Sequence, residues 1–345
     1  MEKRFAFIPA KRTAEKTSVV LYGLGAIGVR TAEAVLARSD LKVVGAVDID
    51  PDKVGKDVGE LIGGDRIGVA VTDDPVALLG AVQAEAVLHT TSSFFPDIYA
   101  QMEGIVNAGV DIISSTEELS YPALQNPELA VKLDALARTK GATVFGTGVN
   151  PGFVMDVLPL VMTGVCQEVT SVQVERIVNA STRRGPLQRK IGSGMTQEEF
   201  ENLAKGGRMG HVGLVESVAL IANGLGWDID AVEEILEPVI APKQIVTEHV
   251  QVEQGQVAGI HQRAWSVEGG KKRITLELQM YLDAEDPHDG VVLEGTPPIH
   301  LRIENGTAGD FATVATLINA IPRVLAAPPG LLTAEQLPIP LWRNG

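Results

Sequence analysis

Residues 17–50 read TSVVLYGLGAIGVRTAEAVLARSDLKVVGAVDID, and this stretch decides the fold. An apolar β-branched run leads through a glycine turn to a segment with apolar residues at three- and four-residue spacings, and then to a second β-branched run. That order predicts a strand, a helix and a parallel strand. Apolar runs at residues 85–88, 110–114 and 143–145 alternate with predicted helices. The first half of the chain should therefore form a parallel sheet covered on both faces.

The pattern changes after Asn150. Period-two alternation begins at VTSVQVERIV, residues 169–178, and recurs in later runs, which indicates a mostly antiparallel sheet with one solvent-facing side. Residues 210–236 predict a helix, a turn and a second helix, and residues 309–326 predict a last helix. The length of 345 residues is about 2.3 times a 150-residue domain, which favours two domains.

The glycine turn after the first predicted strand has the pattern G-x-G-x-x-G. The first glycine permits a tight turn, the second lets backbone amides approach a pyrophosphate, and the third allows close helix packing. The residues expected to hold a dinucleotide in this turn are Gly23, Gly25, Ala26, Ile27 and Gly28. The turn predicts an α/β protein with an N-terminal Rossmann dinucleotide-binding domain. We expect its second domain to be α+β and to carry an open, mostly antiparallel sheet.

Asp48 ends the next predicted strand, where an acidic side chain can bind an adenosine ribose. Because a carboxylate there repels a 2′-phosphate, NAD(H) is the expected cofactor, although Lys53 and Lys56 leave use of NADP(H) open. A run of hydroxyl side chains follows another predicted strand at the same sheet edge, and these hydroxyls either line the cofactor or cap the next helix. They are Thr90, Thr91 and Ser92.

Composition limits the partners and the compartment. Lysine plus arginine number 29 against 44 aspartate plus glutamate, a net charge of −15, which argues against nucleic acid or anionic lipid as the main partner. Cys166 is the only cysteine, which excludes an intrachain disulfide and fits a reducing cytosol. Residues 1–18 contain no signal-peptide core, and no apolar run reaches the roughly 18 to 20 residues that span a bilayer. We expect a soluble, cytoplasmic protein.

Polar side chains at two further strand ends are candidates for chemistry. Glu117 and Glu118 follow a predicted buried strand, and a carboxylate there either moves protons beside the nicotinamide or stabilises the next helix N-terminus. Asn150, in the next glycine-rich turn, has a side-chain amide that can orient a polar substrate. Phe153 and Met155 follow it and either form apolar walls of a substrate pocket or pack in the core.

Three basic side chains of the second half are candidates for the substrate cleft. His211 and His261 either line the cleft or have structural hydrogen bonds. Arg183 begins a basic segment that binds a substrate carboxylate, binds the cofactor phosphates, or forms a solvated loop. No pair of histidines has metal-ligand spacing, so we expect no metal site.

Several motifs together resemble the dihydrodipicolinate reductase-like group, and within it the 2,4-diaminopentanoate dehydrogenases and their native amine dehydrogenase relatives. The resemblance runs from about residue 18 to residue 338. The motifs that carry it are GLGAIG, STEELSYP, GTGVNPGFVMD, RRGPLQRKIGSGMTQEEF and AIPRVLAAPPGLLT.

The resemblance implies an NAD(P)-dependent oxidative deamination of a primary amine such as 2,4-diaminopentanoate, or the reverse reductive amination of a ketone with ammonia. It implies that Glu117 or Glu118 is catalytic, and we favour Glu117 slightly. It also implies that residues 306–345 return to residues 1–149 to complete the first domain. Residues 150–305 would then form a substrate-binding domain whose open sheet builds a homodimer.

Two other functions fit the same pattern. One is a carbonyl or imine reductase of the dihydrodipicolinate reductase or homoserine dehydrogenase type, which needs no ammonia. The other is a protein that senses a dinucleotide without catalysis.

Overall fold

The computed structural model describes residues 15–206 and 209–343, and strands alternate with helices through its first half. The strands of this half are β1 (Thr17–Tyr22), β2 (Leu41–Val47), β3 (Val71–Thr72), β4 (Ala86–His89), β5 (Asp111–Ser114) and β6 (Thr143–Gly146). Its helices are α1 (Ala26–Leu36), α2 (Val58–Leu61), α3 (Pro75–Ala81), α4 (Phe95–Asn107) and α5 (Pro127–Lys140), with a 3₁₀ helix, η1 (Glu117–Ser120), after β5.

The second half contains a long-stranded sheet and then a return segment. Its first elements are α6 (Val157–Thr163), β7 (Glu168–Asn179), α7 (Gly185–Lys190), α8 (Gln197–Lys205), α9 (Leu214–Leu225), β8 (Ala231–Ile240), β9 (Ile245–Val246) and β10 (Gln251–Val252). They are followed by β11 (Val257–Val267), β12 (Ile274–Tyr281), β13 (His288–Thr296), β14 (Ile299–Glu304), α10 (Gly309–Val324), β15 (Gly330–Leu332) and the 3₁₀ helix η2 (Ala334–Gln336).

The first sheet is parallel throughout, with the order β15-β6-β5-β4-β1-β2-β3. Alternate residues of β1 enter two different cores, Val19 and Leu21 on one face and Val20 on the other. The sheet is therefore buried on both faces, as the continuous apolar runs predicted. Strand order reverses between β1 and β4, so the loops after these two strands diverge and leave a crevice at their carboxyl ends.

The second sheet has the order β14-β13-β7-β12-β11-β8, and only the β7–β12 pair is parallel. One face packs against α9 through a core that includes Val174, Leu276 and Val218. The other face carries half-buried polar and aromatic side chains such as His261 and Trp265. The prediction of a mostly antiparallel sheet with one open face is confirmed.

The predicted second helix within residues 210–236 is wrong, because the chain forms strand β8 there. Val232, Ile235 and Leu236 recur at helical spacing, which produced the error. Residues 231–240 instead pair with β11 along the whole strand, and those backbone hydrogen bonds decide the conformation. Pro238 is tolerated because β8 lies at the edge of the sheet. The strands β3, β13 and β15 were not predicted either.

The C-terminal segment joins the first sheet. α10 packs against α1, and β15 extends the sheet by pairing with β6. The division into residues 1–149 plus 306–345 and residues 150–305 stays a prediction, and residues 1–14 and 344–345 of it lie outside the described part. Among the described residues, every helix is too short or too polar to cross a membrane.

A buried ion pair ties the second sheet to this return segment. Arg176 on β7 donates from Nη1 to Asp289 Oδ1 on β13 at 2.6 Å, and from Nη2 to the Thr307 carbonyl at 2.8 Å. Asp289 Oδ2 accepts from the Thr307 backbone N–H at 2.7 Å. The two charged side chains are only 4% and 3% exposed, so each depends on the other for compensation.

We expect Asp289→Leu or Arg176→Met to lower the free energy of unfolding by about 3 to 5 kcal/mol, because each leaves a buried charge unpaired. The double variant Arg176→Met/Asp289→Leu should cost much less than the sum of the two single changes, since it removes both charges. Urea denaturation of the four proteins measures this. Additive losses would contradict the coupling.

Candidate active site

The glycine turn is shaped by close backbone contacts. Gly23 has φ +87°, and a Cβ there would lie 2.7 Å from the Thr90 carbonyl oxygen. A Cβ on Gly28 would overlap the Gly23 carbonyl oxygen, whereas one on Gly25 would meet nothing within 4 Å. Gly23 and Gly28 are thus required for packing, and Gly25 faces open space at the N-terminus of α1. That space suits an anion, since the first N–H groups of α1 have no side-chain cap.

The loop after β4 completes the same edge. Thr90 Oγ1 donates to the Gly23 carbonyl at 2.8 Å. This hydrogen bond joins the loop after β4 to the loop after β1, where the strand order reverses. His89 beneath them is fully buried, and burial lowers its pKa to about 4, so its ring is neutral at pH 7. Thr90, Thr91 and Ser92 all line the crevice, where the sequence placed them.

Asp48 bonds to the glycine turn itself. Its Oδ2 accepts from the Leu24 N–H at 2.6 Å, and its Oδ1 accepts from the Asp50 N–H at 2.8 Å. Lys53 Nζ lies 3.4 Å from Oδ2 and 3.1 Å from an Asp50 carboxylate oxygen. Asp48 therefore fixes the shape of the turn, and its contact with a ribose stays a prediction.

A cavity of about 400 Å³ lies between this edge and the second sheet. One wall consists of the loops after β1, β4, β5 and β6, and the other of β7, β12 and α7, with the start of α10 between them. The predicted residues that the structure brings together in this cavity are Gly25, Ala26, Ile27, Thr90, Thr91, Ser92, Glu117, Asn150, Arg183 and His211.

The two adjacent glutamates point in different directions. Glu118 is only 7% exposed, and its Oε2 accepts from the Phe95 N–H at 2.7 Å, at the start of α4. Glu117 instead lines the cavity. Burial raises the pKa of the Glu117 carboxyl, while the Lys190 charge and the Ser93 hydroxyl oppose that rise. The geometry therefore separates a structural glutamate from one that can exchange protons with a ligand.

Asn150 and His211 line the same cavity as Glu117. The Asn150 carbonyl is 3.0 Å from His211 Nε2, and burial lowers the pKa of His211 to about 4. The ring is thus neutral, and because Nε2 must donate to that carbonyl, Nδ1 is left as an acceptor. Both polar atoms of the Asn150 side chain are buried and have no hydrogen-bond partner among the described residues. A buried side-chain amide without a partner requires a hydrogen bond from a ligand or an ordered water molecule to offset its loss of hydration.

Four arginine and lysine side chains line the cavity, and three of them, Arg183, Arg184 and Lys190, belong to the basic segment that the sequence offered for binding a carboxylate or the cofactor phosphates. Arg183 donates to Asp310 at 2.7 Å, in the first turn of α10. The fourth is Arg176. Arg176 was not identified from the sequence, because it lies among ordinary strand residues with no motif around it.

Three predicted pocket residues lie elsewhere. Met155 is fully buried in the core against the second sheet, and Phe153 packs against that core, so neither lines the cavity. His261 bonds to Glu277 at 2.7 Å on the open face, because side chains alternate along β11 and its neighbour Gln262 takes the inward side. Gln262 contacts the site instead, accepting from the His211 N–H at 2.7 Å. Within the described parts of the chain, no cluster of His, Cys, Asp and Glu could hold a metal ion.

Two family models cover most of the chain. Residues 17–125 match the N-terminal domain of dihydrodipicolinate reductase, and residues 153–343 match the C-terminal domain of 2,4-diaminopentanoate dehydrogenase.

Full-length relatives agree with these models. A 2,4-diaminopentanoate dehydrogenase of Acetoanaerobium sticklandii is 33% identical over 340 residues, which cover 94% of each chain. An amine dehydrogenase of Streptomyces virginiae is 28% identical over 349 residues, covering 93% of this chain and 96% of the relative. The structure of an amine dehydrogenase from Mycobacterium smegmatis superposes with a TM-score of 0.85 at 26% identity, over 96% of this chain and 98% of that one. The chain belongs to the 2,4-diaminopentanoate dehydrogenase family, and it is an oxidoreductase of the amine dehydrogenase type.

Proposed function

We propose that this protein is an NAD(P)-dependent amine dehydrogenase. It converts a primary amine, such as 2,4-diaminopentanoate, to a ketone and ammonia, and it carries out the reverse reductive amination. The observation that carries the proposal is that Glu117 lines the same cavity as Asn150, whose buried side-chain amide has no hydrogen-bond partner among the described residues. A proton acceptor and a polar amide therefore line one cavity, together with the residues of the glycine turn.

The described residues fit a nicotinamide dinucleotide. Open space at Gly25 and the uncapped N-terminus of α1 suit the pyrophosphate, and the hydroxyls of Thr90 and Ser92 line the path toward Glu117. A bound nicotinamide would supply the hydride chemistry at the carbon that bears the amine, as acceptor in deamination and as donor in the reverse reaction. Asn150 would orient the reacting groups through its side-chain amide.

Glu117 would move the protons. In deamination, a carboxylate oxygen of Glu117 accepts a proton from the substrate ammonium and so frees the nitrogen lone pair. After passing that proton to solvent, the carboxylate accepts a second proton, from the water that adds to the iminium carbon, and delivers it to the departing nitrogen. As ammonia leaves, the Glu117 carboxylate accepts the remaining hydroxyl proton of the carbinolamine, and the ketone is formed. In a partly enclosed cavity the carboxylate also attracts the cationic substrate and iminium more strongly than it would in bulk water.

We also propose a cytoplasmic homodimer. The open face of the second sheet supports this, because it presents Trp265, Arg263 and His261 as a broad half-buried surface. A second copy could cover that face without obstructing the cavity, because Arg176, Val178 and Met280 line the cavity from the opposite face of the sheet.

Glu117→Gln should lower kcat for ammonium-dependent ketone reduction by about 10²- to 10⁴-fold, because it removes the proton acceptor and keeps the side-chain shape. Binding of NADH, followed by its fluorescence, should be unchanged. Glu118→Gln is the matched control: its side-chain oxygen can still accept from the Phe95 N–H, so activity should stay near wild type. Full activity in Glu117→Gln would refute the assignment. Equal turnover of wild type without ammonium would indicate a carbonyl or imine reductase instead.

The pH profile should identify the same group. Burial raises the pKa of Glu117 above its ordinary value of 4.5, and only the deprotonated form accepts a proton. The kcat/KM for amine oxidation should therefore fall as pH decreases through this raised pKa. Burial lowers the pKa of His211 to about 4, below the ordinary value for a glutamate, so His211→Asn should leave the midpoint of this fall in activity unchanged. If His211→Asn shifts the midpoint of this fall in kcat/KM, the titrating group is the histidine.

The cofactor preference should favour NADH over NADPH by at least about 10-fold in kcat/KM. A 2′-phosphate near Asp48 and Asp50 meets like charge, which costs several kcal/mol when the groups are close, and every 1.4 kcal/mol is about tenfold. Lys53 is held between these two carboxylates and so offers little compensation. Steady-state rates with both cofactors at saturating ketone and ammonium measure the ratio, and a preference for NADPH would show that this reasoning is wrong.

A further inference from the structure

The side-chain amide of Asn150 takes its position from the backbone that carries it. Both of its polar atoms are buried, and neither has a hydrogen-bond partner among residues 15–206 and 209–343. Since no hydrogen bond of the protein fixes the amide itself, the turn that contains Asn150 decides where the amide lies in the cavity. Whatever holds this turn therefore controls the contact between the amide and a ligand.

The start of α9 supports the turn from one side. His211, just before this helix, donates from Nε2 to the Asn150 carbonyl at 3.0 Å. Gly213 is the N-cap of α9, and a Cβ there would overlap the Pro151 ring and lie 3.3 Å from the Glu117 Cβ. The start of α9 thus lies against both the turn and the residue proposed to move protons.

Asp156 fastens the other end of the turn to the same helix. Its Oδ2 accepts from the Gly152 N–H at 2.8 Å and from the Ser217 hydroxyl of α9 at 2.8 Å. Its Oδ1 accepts from the Val157 N–H at 2.6 Å. Asp156 and Ser217 are both fully buried, so water cannot replace these bonds without an opening of the structure. One carboxyl oxygen therefore joins Gly152, two residues after Asn150, to α9.

The backbone of the turn makes this bond important. Pro151 has no N–H, so the Gly152 N–H is the first backbone donor after Asn150. Gly152 has φ +117°, and a Cβ there would overlap the Gly148 nitrogen, so the turn is tightly folded on itself. A buried N–H without an acceptor is costly, and the turn must therefore follow the position of Asp156.

The arrangement also accounts for a motif that the cavity did not explain. GTGVNPGFVMD, residues 146–156, begins at the end of β6 and ends at Asp156. Its Phe153 and Met155 pack in or against the core, and Asp156 does not line the cavity. The motif thus contains the amide and, six residues later, the carboxyl that supports it.

We propose that Asp156 and Ser217 are positioning residues, which hold the turn of Asn150 against α9 so that its amide meets the reacting groups in the cavity. The inference rests on the proposed function for the role of this amide in the reaction. The support of the turn by Asp156 and Ser217 does not depend on which reaction is catalysed.

The test removes the Ser217 hydroxyl, which is the bond between Asp156 and α9. Ser266→Ala is the matched control for Ser217→Ala, because Ser266 is equally buried and its Oγ accepts from the Ile274 N–H at 3.0 Å. Ile274 begins β12, whereas Met280, near the other end of that strand, lines the cavity. Asn150→Ala and the double variant Asn150→Ala/Ser217→Ala complete a double-mutant cycle.

Rates are measured with NADH, ammonium and 2-amino-4-oxopentanoate, the ketone that corresponds to 2,4-diaminopentanoate. Ser217→Ala should lower kcat by about 10- to 100-fold, because a small displacement of the amide misplaces the reacting groups. Its Kd for NADH should stay within about 2-fold of wild type, and Ser266→Ala should keep the wild-type kcat although both variants lose a buried hydrogen bond. In the Asn150→Ala background, Ser217→Ala should change kcat by less than about 2-fold, because no amide remains to be positioned.

Three results would overturn the inference. The first is a wild-type kcat in Ser217→Ala. The second is an equal loss of kcat in Ser266→Ala, which would mean that lowered stability alone explains the effect. The third is a double variant in which the two losses add, which would mean that Ser217 acts through a group other than Asn150.

Hydrogen exchange separates this inference from the proposed function, because it requires no turnover. In Ser217→Ala, peptides that contain Gly152 should exchange at least about 10-fold faster than in wild type, measured by mass spectrometry, while Ser266→Ala leaves them unchanged. That result supports the role of Asp156 and Ser217 in holding the turn even if ammonium-dependent turnover is absent and the proposed function fails. Unchanged exchange in Ser217→Ala overturns the inference even if the enzyme proves to be an amine dehydrogenase.

Discussion

The close approach of three backbone segments at the glycine turn is the constraint on which the site depends. A side chain at Gly28 would overlap the Gly23 carbonyl, and one at Gly23 would strike the loop after β4. Because both positions lack a Cβ, α1 starts directly beneath the end of β1, and Thr90 bonds across the switch point. The crevice between β1 and β4 then opens toward η1, which contains Glu117. The absence of a Cβ at Gly23 and Gly28 therefore determines where the phosphates are expected relative to Glu117.

The neighbouring glutamates divide two tasks between them. Glu118 binds the N-terminus of α4 through the Phe95 N–H and so holds the loop that carries Ser92 and Ser93. Glu117 faces the cavity that this loop lines. Burial raises the pKa of both carboxyl groups. For Glu118 the backbone bond offsets part of that penalty, whereas for Glu117 the charge of Lys190 does so, which leaves its oxygens accessible to a ligand.

Features carried by local sequence patterns could be predicted, and features decided by long-range contacts could not. The strand, glycine turn and helix of residues 17–36 could be predicted, because a β-branched run, the positions of the glycines and the helical spacing of apolar residues are all local patterns. β8 did not, because its helical apolar spacing was overruled by pairing with β11. The choice between Glu117 and Glu118 depended on the distant Phe95 N–H. The sequence offered His261 for the cleft. Alternate side chains of β11 point to opposite faces of the sheet, and the register with β12 puts His261 on the open face.

The distribution of charge connects the molecular surface with the cavity. A net charge of −15 gives the molecule a negative field that attracts ammonium ions and amines at low ionic strength. Such a field is screened within about 8 Å at physiological ionic strength, so it cannot select among cations at the site. Selection has to come from groups inside the cavity, such as Glu117, whose pKa is raised by burial and lowered by the charge of Lys190.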